Sequence, residues 1–179
     1  HNILNALVAI GISRELEIKN DFLKHSLESF NGVERRFQCF DNLVTNIGNK
    51  FTLIDDYGHH PTEIKATLDA CLASFPNRKV TLIFQPHRYT RTKALFSEFL
   101  KVLSSTERLF LLDVYPAGET EIENANSKSL LEEIKSSGGP DCSLITDIGH
   151  FYPKFLTSVK DNDVILIMGA GSVGKLSKR

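Results

Sequence analysis

The chain has 179 residues, is 41% hydrophobic and 24% charged, and carries a formal net charge of -1 at neutral pH. A chain of this length can bury a full hydrophobic core, and it suggests one domain with part of another. The balanced charge excludes the basic excess that nucleic-acid-binding proteins carry. The apolar runs fall short of the ~20 residues that a membrane helix needs, and no N-terminal signal pattern is present. We therefore expect a cytoplasmic protein that binds small molecules rather than nucleic acid or membranes.

The first thirty residues contain two helical patterns that differ in character from the rest of the chain. The sequence opens with His1-Asn2 inside an apolar helical pattern and without an initiator methionine, as the end of a preceding domain would. We therefore place a domain boundary near Asn31-Gly32-Val33. Residues 1–32 are predicted to be the tail of another domain, and residues 33–179 to be a domain of their own.

Beyond this boundary, short apolar runs alternate with amphipathic segments. Ser127 is predicted to be the N-cap of a helix. Strands are predicted over 51–55, 79–84, 108–113, 142–146 and 163–168, with a preceding hairpin indicated by 37–47 and the Gly48-Asn49 turn. Helices are predicted over 61–75, 91–103, 128–137 and near 150–159. This alternation predicts an α/β fold, with a Rossmann-like, mostly parallel sheet and helices on both of its faces.

The run Gln85-Pro86-His87-Arg88-Tyr89-Thr90-Arg91-Thr92 directly follows the predicted strand 79–84. It lies where open α/β sheets bind their ligands, at the carboxyl end of a strand. A guanidinium matches the paired oxygens of a carboxylate or a phosphate. We therefore predict an anion site at His87, Arg88 and Arg91, against the alternative of a solvated basic turn.

A second polar loop, from Asp55 to Glu63, follows the strand 51–55 and leads into the next helix. Asp55 and Asp56 are candidates for binding a ribose, a metal or a cationic amine, and one of them is equally a candidate for capping the helix. His59 and His60 can each donate to an anion or take a proton near neutral pH. Because adjacent side chains rarely point into one pocket, we expect only one of these histidines to do so.

Gly169-Ala170-Gly171-Ser172-Val173-Gly174-Lys175 matches the dinucleotide-binding pattern and nearly matches a phosphate loop. Leu176 stands where a phosphate loop has Ser or Thr, and no βαβ unit follows. We interpret the segment as a structural glycine turn that approaches the pocket. A nucleotide-dependent dehydrogenase is a weaker alternative.

Three further features remain open at this point. The loop from Val114 to Glu119 forms either another pocket wall or an ordinary turn. Asn2 and Asn5 lie at helical spacing, where two amides can read a purine edge, although this signal alone is weak. The pair Arg35-Arg36, beside the domain boundary, either reaches phosphates or belongs to a solvated face.

Taken together in order and spacing, these motifs resemble the Mur ligase family. The resemblance covers essentially the whole chain, which corresponds to the C-terminal portion of such an enzyme. The matching segments are His1-Asn2-x-x-Asn5-Ala6, Gly32-Val33-x-Arg35-Arg36-Phe37, Asp55 to Glu63, Phe84 to Thr92, and Val114-Tyr115-x-Ala117-Gly118-Glu119.

The resemblance implies an ATP-dependent amide ligase with three domains, of which this chain is a fragment that is inactive alone. In such enzymes the substrate carboxylate is phosphorylated and an amine then attacks the acyl phosphate. The Gln85 to Thr92 loop favours the family member that adds L-alanine to UDP-N-acetylmuramate in peptidoglycan synthesis. The alternatives are the member that recycles a tripeptide and a non-catalytic module that binds small anions.

The resemblance also assigns roles to single residues. Asn2 and Asn5 are expected to contact the adenine of ATP, Arg36 the nucleotide phosphates or ribose, and Asp56 the ribose. Residues 1–32 would then be the last helices of the central domain. The other ligands of that domain, including those for magnesium, are expected in its missing part, and no metal site is expected in this chain. The L-alanine site is expected to be lined by Tyr57, His59, His87, Arg88 and Arg91, with His59, Arg88 and Arg91 as its catalytic residues.

Overall fold

A computed structural model describes residues 2–30 and 32–177, with the side chain of Asn2 outside that description. The chain divides into two units between Val33 and Glu34. Asn31, at the predicted domain boundary, lies outside the described residues. The assignment of the first unit to another domain stays a prediction.

The first unit consists of two helices, α1 (Asn2–Glu15) and α2 (Asn20–Ser29). They match the two helical patterns of the sequence. The turn between them is closed by backbone hydrogen bonds, including one from Ile18 N–H to the carbonyl of Ser13. No described helix of the protein has both the length and the apolar character needed to cross a membrane.

The second unit is built on a six-stranded sheet with the order β1-β2-β6-β3-β4-β5. β1 pairs antiparallel with β2, and all other neighbouring strands are parallel. The strands are β1 (Gln38–Val44), β2 (Lys50–Asp56), β3 (Val80–Phe84), β4 (Arg108–Leu112), β5 (Asp141–Ile145) and β6 (Val164–Met168). The predicted hairpin, parallel strands and α/β class are confirmed.

Helices cover both faces of this sheet because successive strand residues point to opposite sides. One core cluster joins the sheet to α3, α5 and α6, for example through Ile64, Phe99 and Leu130. The other joins it to α7 and the final 3₁₀ turn, for example through Phe155 and Val173. The helices are α3 (Pro61–Ser74), α4 (Tyr89–Ala94), α5 (Phe96–Leu103), α6 (Ser127–Ser136) and α7 (Ile148–Leu156), and the 3₁₀ turn is Ser172–Lys175.

The structure corrects the prediction that Ser127 is an N-cap. Asn126 caps α6, because its side chain accepts a hydrogen bond from the backbone N–H of Ser129 at 2.9 Å. Ser127 is buried instead, and its hydroxyl donates to the carbonyl of Leu112 at 2.6 Å. Ser127 therefore ties α6 to the end of β4.

The strand order creates a crevice at the carboxyl edge of the sheet. β6 lies between β2 and β3. The segments after β2 and β3 lead to helices on the first face, whereas the segment after β6 packs Val173 and Leu176 against the second face. Neighbouring loops that leave a sheet in opposite directions open a ligand-binding crevice. Both polar loops found in the sequence end at this edge.

Candidate functional site

The loop after β3 is fixed to the loop after β4 by the backbone. The N–H of Arg88 donates to the carbonyl of Tyr115 at 2.9 Å, and the N–H of Tyr115 donates to the carbonyl of Pro86 at 2.8 Å. Arg88 itself has a φ of 72°, in the left-handed region that non-glycine residues rarely occupy. Strain of this kind persists only where surrounding contacts hold it, and it concentrates at functional sites.

The two arginines of this loop lie in different environments. The Nη1 of Arg91 donates to the carbonyl of His87 at 3.2 Å and lies 3.4 Å from the Nδ1 of the same residue. The side chain of Arg88 is exposed and makes no hydrogen bond or ion pair within the described residues. One guanidinium is therefore held in place, and the other is free to receive an anion.

Four rings form a continuous row along the crevice, which we call the aromatic row. Tyr57 and His59 meet edge to face, with ring centroids 5.6 Å apart. His59 lies 5.5 Å from His87, and His87 stacks on Tyr115 at 5.4 Å. The row joins the loops that follow β2, β3 and β4. With the contact of Arg91 to His87, the structure thus brings together four of the five residues predicted for one pocket: Tyr57, His59, His87 and Arg91.

The two adjacent histidines do different things, as predicted. The Nδ1 of His59 lies 3.1 Å from the carbonyl of Tyr57. Because a carbonyl can only accept, Nδ1 carries the proton in that contact, and the Nε2 of the neutral ring remains an acceptor. His60 is instead the N-cap of α3, where its ring accepts from Thr62 N–H. Glu63 completes this capping box by accepting from the N–H groups of both histidines, at 2.8 and 2.9 Å.

Several groups near the crevice have shifted pKa values, among them His87 and Glu63. Burial lowers the pKa of His87 below its ordinary 6.5, and the charges of His59, Arg91 and Arg88 lower it further against the opposing effect of Glu119. Burial would raise the pKa of Glu63, but the hydrogen bonds from His59 and His60 and the charges of those rings outweigh it and lower the pKa below 4.5.

Asp55 is a structural residue. Its carboxylate is 2% exposed and pairs with the Nε of Arg35 at 3.1 Å. Ser177 also donates to it, at 2.6 Å, and Arg35 extends a second nitrogen to the carbonyl of Gly169 at 2.6 Å. These contacts occupy Asp55, so the ligand-binding alternative is left to Asp56. The pairing of Arg35 corrects both alternatives considered for it, phosphate contact and a solvated face. The sequence did hold a signal for this pairing, because a carboxylate at the end of a buried strand requires a cationic partner.

The residues predicted to bind ATP are placed as follows. Asp56 accepts from the N–H groups of Phe37 at 2.8 Å and Gly58 at 2.7 Å, one on each oxygen, and each oxygen keeps a further lone pair. The side chain of Arg36 is exposed and has no hydrogen bond or ion pair within the described part of the chain. Asn5 is exposed on α1 in the first unit, and the side chain of Asn2 lies outside the described residues. Their nucleotide roles stay predictions.

The glycine-rich segment after β6 is a structural turn, as the sequence predicted. The buried Gln85 accepts from Val173 N–H at 2.9 Å and donates to the carbonyl of Asp113 at 3.2 Å. A Cβ on Gly171 would lie 2.5 Å from the Gln85 side-chain oxygen and 2.7 Å from the Cβ of Tyr115. The backbone N–H of Val173, which a phosphate loop would offer to its ligand, is thus bound by Gln85. The glycine pattern therefore no longer supports the dehydrogenase alternative.

Within residues 2–30 and 32–177, no group of three or more His, Cys, Asp or Glu side chains is placed to hold a metal ion. The side chains that the structure places at the crevice include arginines, imidazoles and phenol rings, which can bind an anion and accept or donate protons.

Fold and site together define an α/β domain with a crevice lined by arginines and aromatic rings at its topological switch point. The family model described as Mur ligase, glutamate ligase domain, matches residues 35–171. The chain belongs to the Mur ligase family, and the resemblance carried by its motifs is confirmed.

Individual relatives agree with this assignment. A UDP-N-acetylmuramate–L-alanine ligase of Nitrosomonas eutropha is 47% identical over 99% of this chain and 37% of its own length. The crystal structure of a UDP-N-acetylmuramate–alanine ligase of Thermotoga maritima is 30% identical, with a TM-score of 0.73 over 100% of this chain and 36% of its own. A domain of a ligase from Haemophilus ducreyi, 22% identical, shares the fold with a TM-score of 0.54 over 78% of this chain and 93% of its own. The chain thus spans little more than a third of the length of the full relatives.

Proposed function

We propose that this chain is the amino-acid-binding and ATP-closing C-terminal part of a UDP-N-acetylmuramate:L-alanine ligase. The observation that carries the proposal is the exposed guanidinium of Arg88, which has no hydrogen bond or ion pair within the described residues, on the same loop as Arg91, whose guanidinium contacts His87 of the aromatic row. A small amino acid presents a carboxylate, which a pair of arginines binds well. The name of the 47% identical relative supports L-alanine as that amino acid.

In the proposed reaction, the L-alanine amine attacks an acyl phosphate of the muramoyl carboxylate and phosphate leaves, so that an amide forms. This step depends mainly on holding the amine near 3 Å from the carbonyl carbon. Arg88 and Arg91 hold the alanine carboxylate, and Tyr57 and His87 line the space beside it. Closure of the domain over the nucleotide then excludes water from the acyl phosphate.

ATP supplies the phosphoryl group that activates the carboxylate. The residues present fit the outer part of a nucleotide, since Arg36 offers an exposed guanidinium and Asp56 retains free lone pairs for ribose hydroxyls. Magnesium ligands belong to the remainder of the proposed enzyme.

His59 is proposed to take the proton that the alanine ammonium group must lose before it attacks. Its Nδ1 donates to the Tyr57 carbonyl, which leaves Nε2 of the neutral ring to accept. A His59→Gln variant of the full-length ligase should lose the limb of the pH–rate profile that His59 contributes. An unaltered profile would remove His59 from this role.

The experiment that tests the proposed function is steady-state kinetics of the full-length ligase with an Arg88→Ala change. Loss of a charge-assisted pair with the substrate carboxylate should lower kcat/KM for L-alanine on the order of 10- to 100-fold. Arg36→Ala is the matched control, for which we expect a higher KM for ATP and an unchanged KM for L-alanine. Unchanged L-alanine kinetics in the Arg88→Ala enzyme would refute the assignment.

A further inference from the structure

The loop after β4 holds the arginine loop at a second point, through Glu119. One carboxylate oxygen of Glu119 accepts from the backbone N–H of Thr90 at 3.0 Å, and the other accepts from the Thr90 hydroxyl at 2.7 Å. Thr90 lies in the sequence between Arg88 and Arg91. A single carboxylate thus grips the residue between the two proposed carboxylate-binding arginines.

The backbone before Glu119 is shaped for this contact. Ala117 and Gly118 have φ values of 49° and 86°, and the N–H of Glu119 donates to the carbonyl of Pro116 at 3.0 Å. Two successive residues in the left-handed region make a tight reversal, and placing alanine there costs about 1 kcal/mol. This strained turn directs Glu119 back toward the first turn of α4.

The double contact also has an electrostatic consequence. Arg88 is close enough to lower the pKa of Glu119, after the larger effect of the hydrogen bonds from Thr90. Both carboxylate oxygens of Glu119 accept from Thr90, and no hydrogen bond or ion pair joins Glu119 to Arg88 within the described residues. The guanidinium of Arg88 is therefore not paired with this carboxylate, although its charge lowers the pKa of Glu119.

We propose that Glu119 is a positioning residue of the amino-acid site. Its two hydrogen bonds with Thr90 set the spacing at which Arg88 and Arg91 bind the substrate carboxylate. This inference rests on the proposed function. Glu119 touches no reacting atom and acts through Thr90. The substrate carboxylate is held equally in the ground state and the transition state. Loss of the Glu119 side chain should therefore raise the KM for L-alanine and leave kcat unchanged.

The test is steady-state kinetics of the full-length ligase with varied L-alanine and with varied ATP. Glu119→Ala should raise the KM for L-alanine about tenfold, the equivalent of one lost hydrogen-bonded restraint, with kcat and the KM for ATP within twofold. Glu119→Gln keeps one acceptor for Thr90, so its KM for L-alanine should lie close to that of the parent enzyme. Glu123→Ala is the matched control, because it removes an exposed carboxylate four residues away, and it should leave all three parameters unchanged.

Two results separate failure of this inference from failure of the proposed function. If Arg88→Ala raises the KM for L-alanine but Glu119→Ala and Glu119→Gln leave it within twofold of the parent value, Glu119 does not position the site. If both Glu119 variants instead show a lower kcat and a higher KM for ATP, as general structural damage would produce, the positioning role of Glu119 is overturned equally. If Arg88→Ala leaves the L-alanine kinetics unchanged, the proposed function fails and this inference fails with it.

Discussion

Arg35 and Arg36 are adjacent in the sequence but lie in different environments. Arg35 pairs with the buried Asp55 and contacts the carbonyl of Gly169, and its guanidinium lies 5.3 Å from the Tyr57 ring centroid. Arg36 is exposed. Removing one member of a buried ion pair leaves an uncompensated charge, which costs several kcal/mol.

We therefore expect Arg35→Ala to lower the free energy of unfolding by about 3 kcal/mol, whereas Arg36→Ala should change it by less than about 0.5 kcal/mol. Urea denaturation of the two variants beside the parent chain measures both values. Equal stability of the two variants would show that the Arg35–Asp55 pair does not stabilise the sheet edge.

His87 should titrate below 6.5, because burial and the neighbouring positive charges disfavour its protonated form. A histidine whose pKa is lowered on folding stabilises the protein fully above its unfolded value, and this contribution is lost as the pH falls below 6.5 toward the folded pKa. NMR titration of the imidazole measures the midpoint, and Arg91→Ala should move it upward. A midpoint at or above 6.5 in the parent chain would contradict this electrostatic description.

At the scale of elements, the start of α3 controls the orientation of His59. Glu63 accepts from the N–H groups of His59 and His60, and His60 caps the helix in return. Glu63→Ala should lower the free energy of unfolding by about 1 kcal/mol at neutral pH, as for other capping residues. Glu98→Ala is the control, because Glu98 is an exposed acidic residue in the first turn of α5, a helix without a side-chain cap.

The stability difference between the parent chain and Glu63→Ala should depend on pH with a definite sign. Because folding lowers the pKa of Glu63, its contribution is present above 4.5 and is lost as the pH falls through the folded value. Thermal or urea unfolding of the parent chain and Glu63→Ala at pH 7 and at acid pH should show the difference narrowing. A difference that persists unchanged at acid pH would argue against the capping box.

Periodicity located the elements well, but it located their ends less well. The apolar spacing in 91–103 predicts one helix, whereas the structure has two, interrupted at Leu95 with φ −116° and ψ 24°. The large apolar residues of this stretch lie at Leu95 and in α5, whereas α4 buries Thr92, so the apolar spacing does not reveal the break. At α6, Asn126 and Ser127 are both good capping residues, and only tertiary contact decides that Ser127 is buried against Leu112.

At the scale of the whole molecule, the crevice could be predicted because two polar loops follow strands that end at one edge of a parallel sheet. The order of the strands could not, since nothing local in 163–168 states that β6 lies between β2 and β3. The roles of Gln85 and Arg35 depend on that insertion, because both contact the turn after β6. The sequence thus indicated which residues gather at the crevice better than which residues hold the crevice loops in place.

The central claim is that this chain carries an amino-acid site formed by Arg88, Arg91 and the aromatic row. An amide NMR titration of the chain with L-alanine tests it most directly, with Arg88→Ala and the recycled tripeptide as comparisons. We predict saturable shifts in residues 57–59 and 87–91 with L-alanine, which are lost in Arg88→Ala and not reproduced by the tripeptide. No shift at these residues, or shifts that survive Arg88→Ala, would contradict the claim, and selective shifts with the tripeptide would favour the recycling ligase.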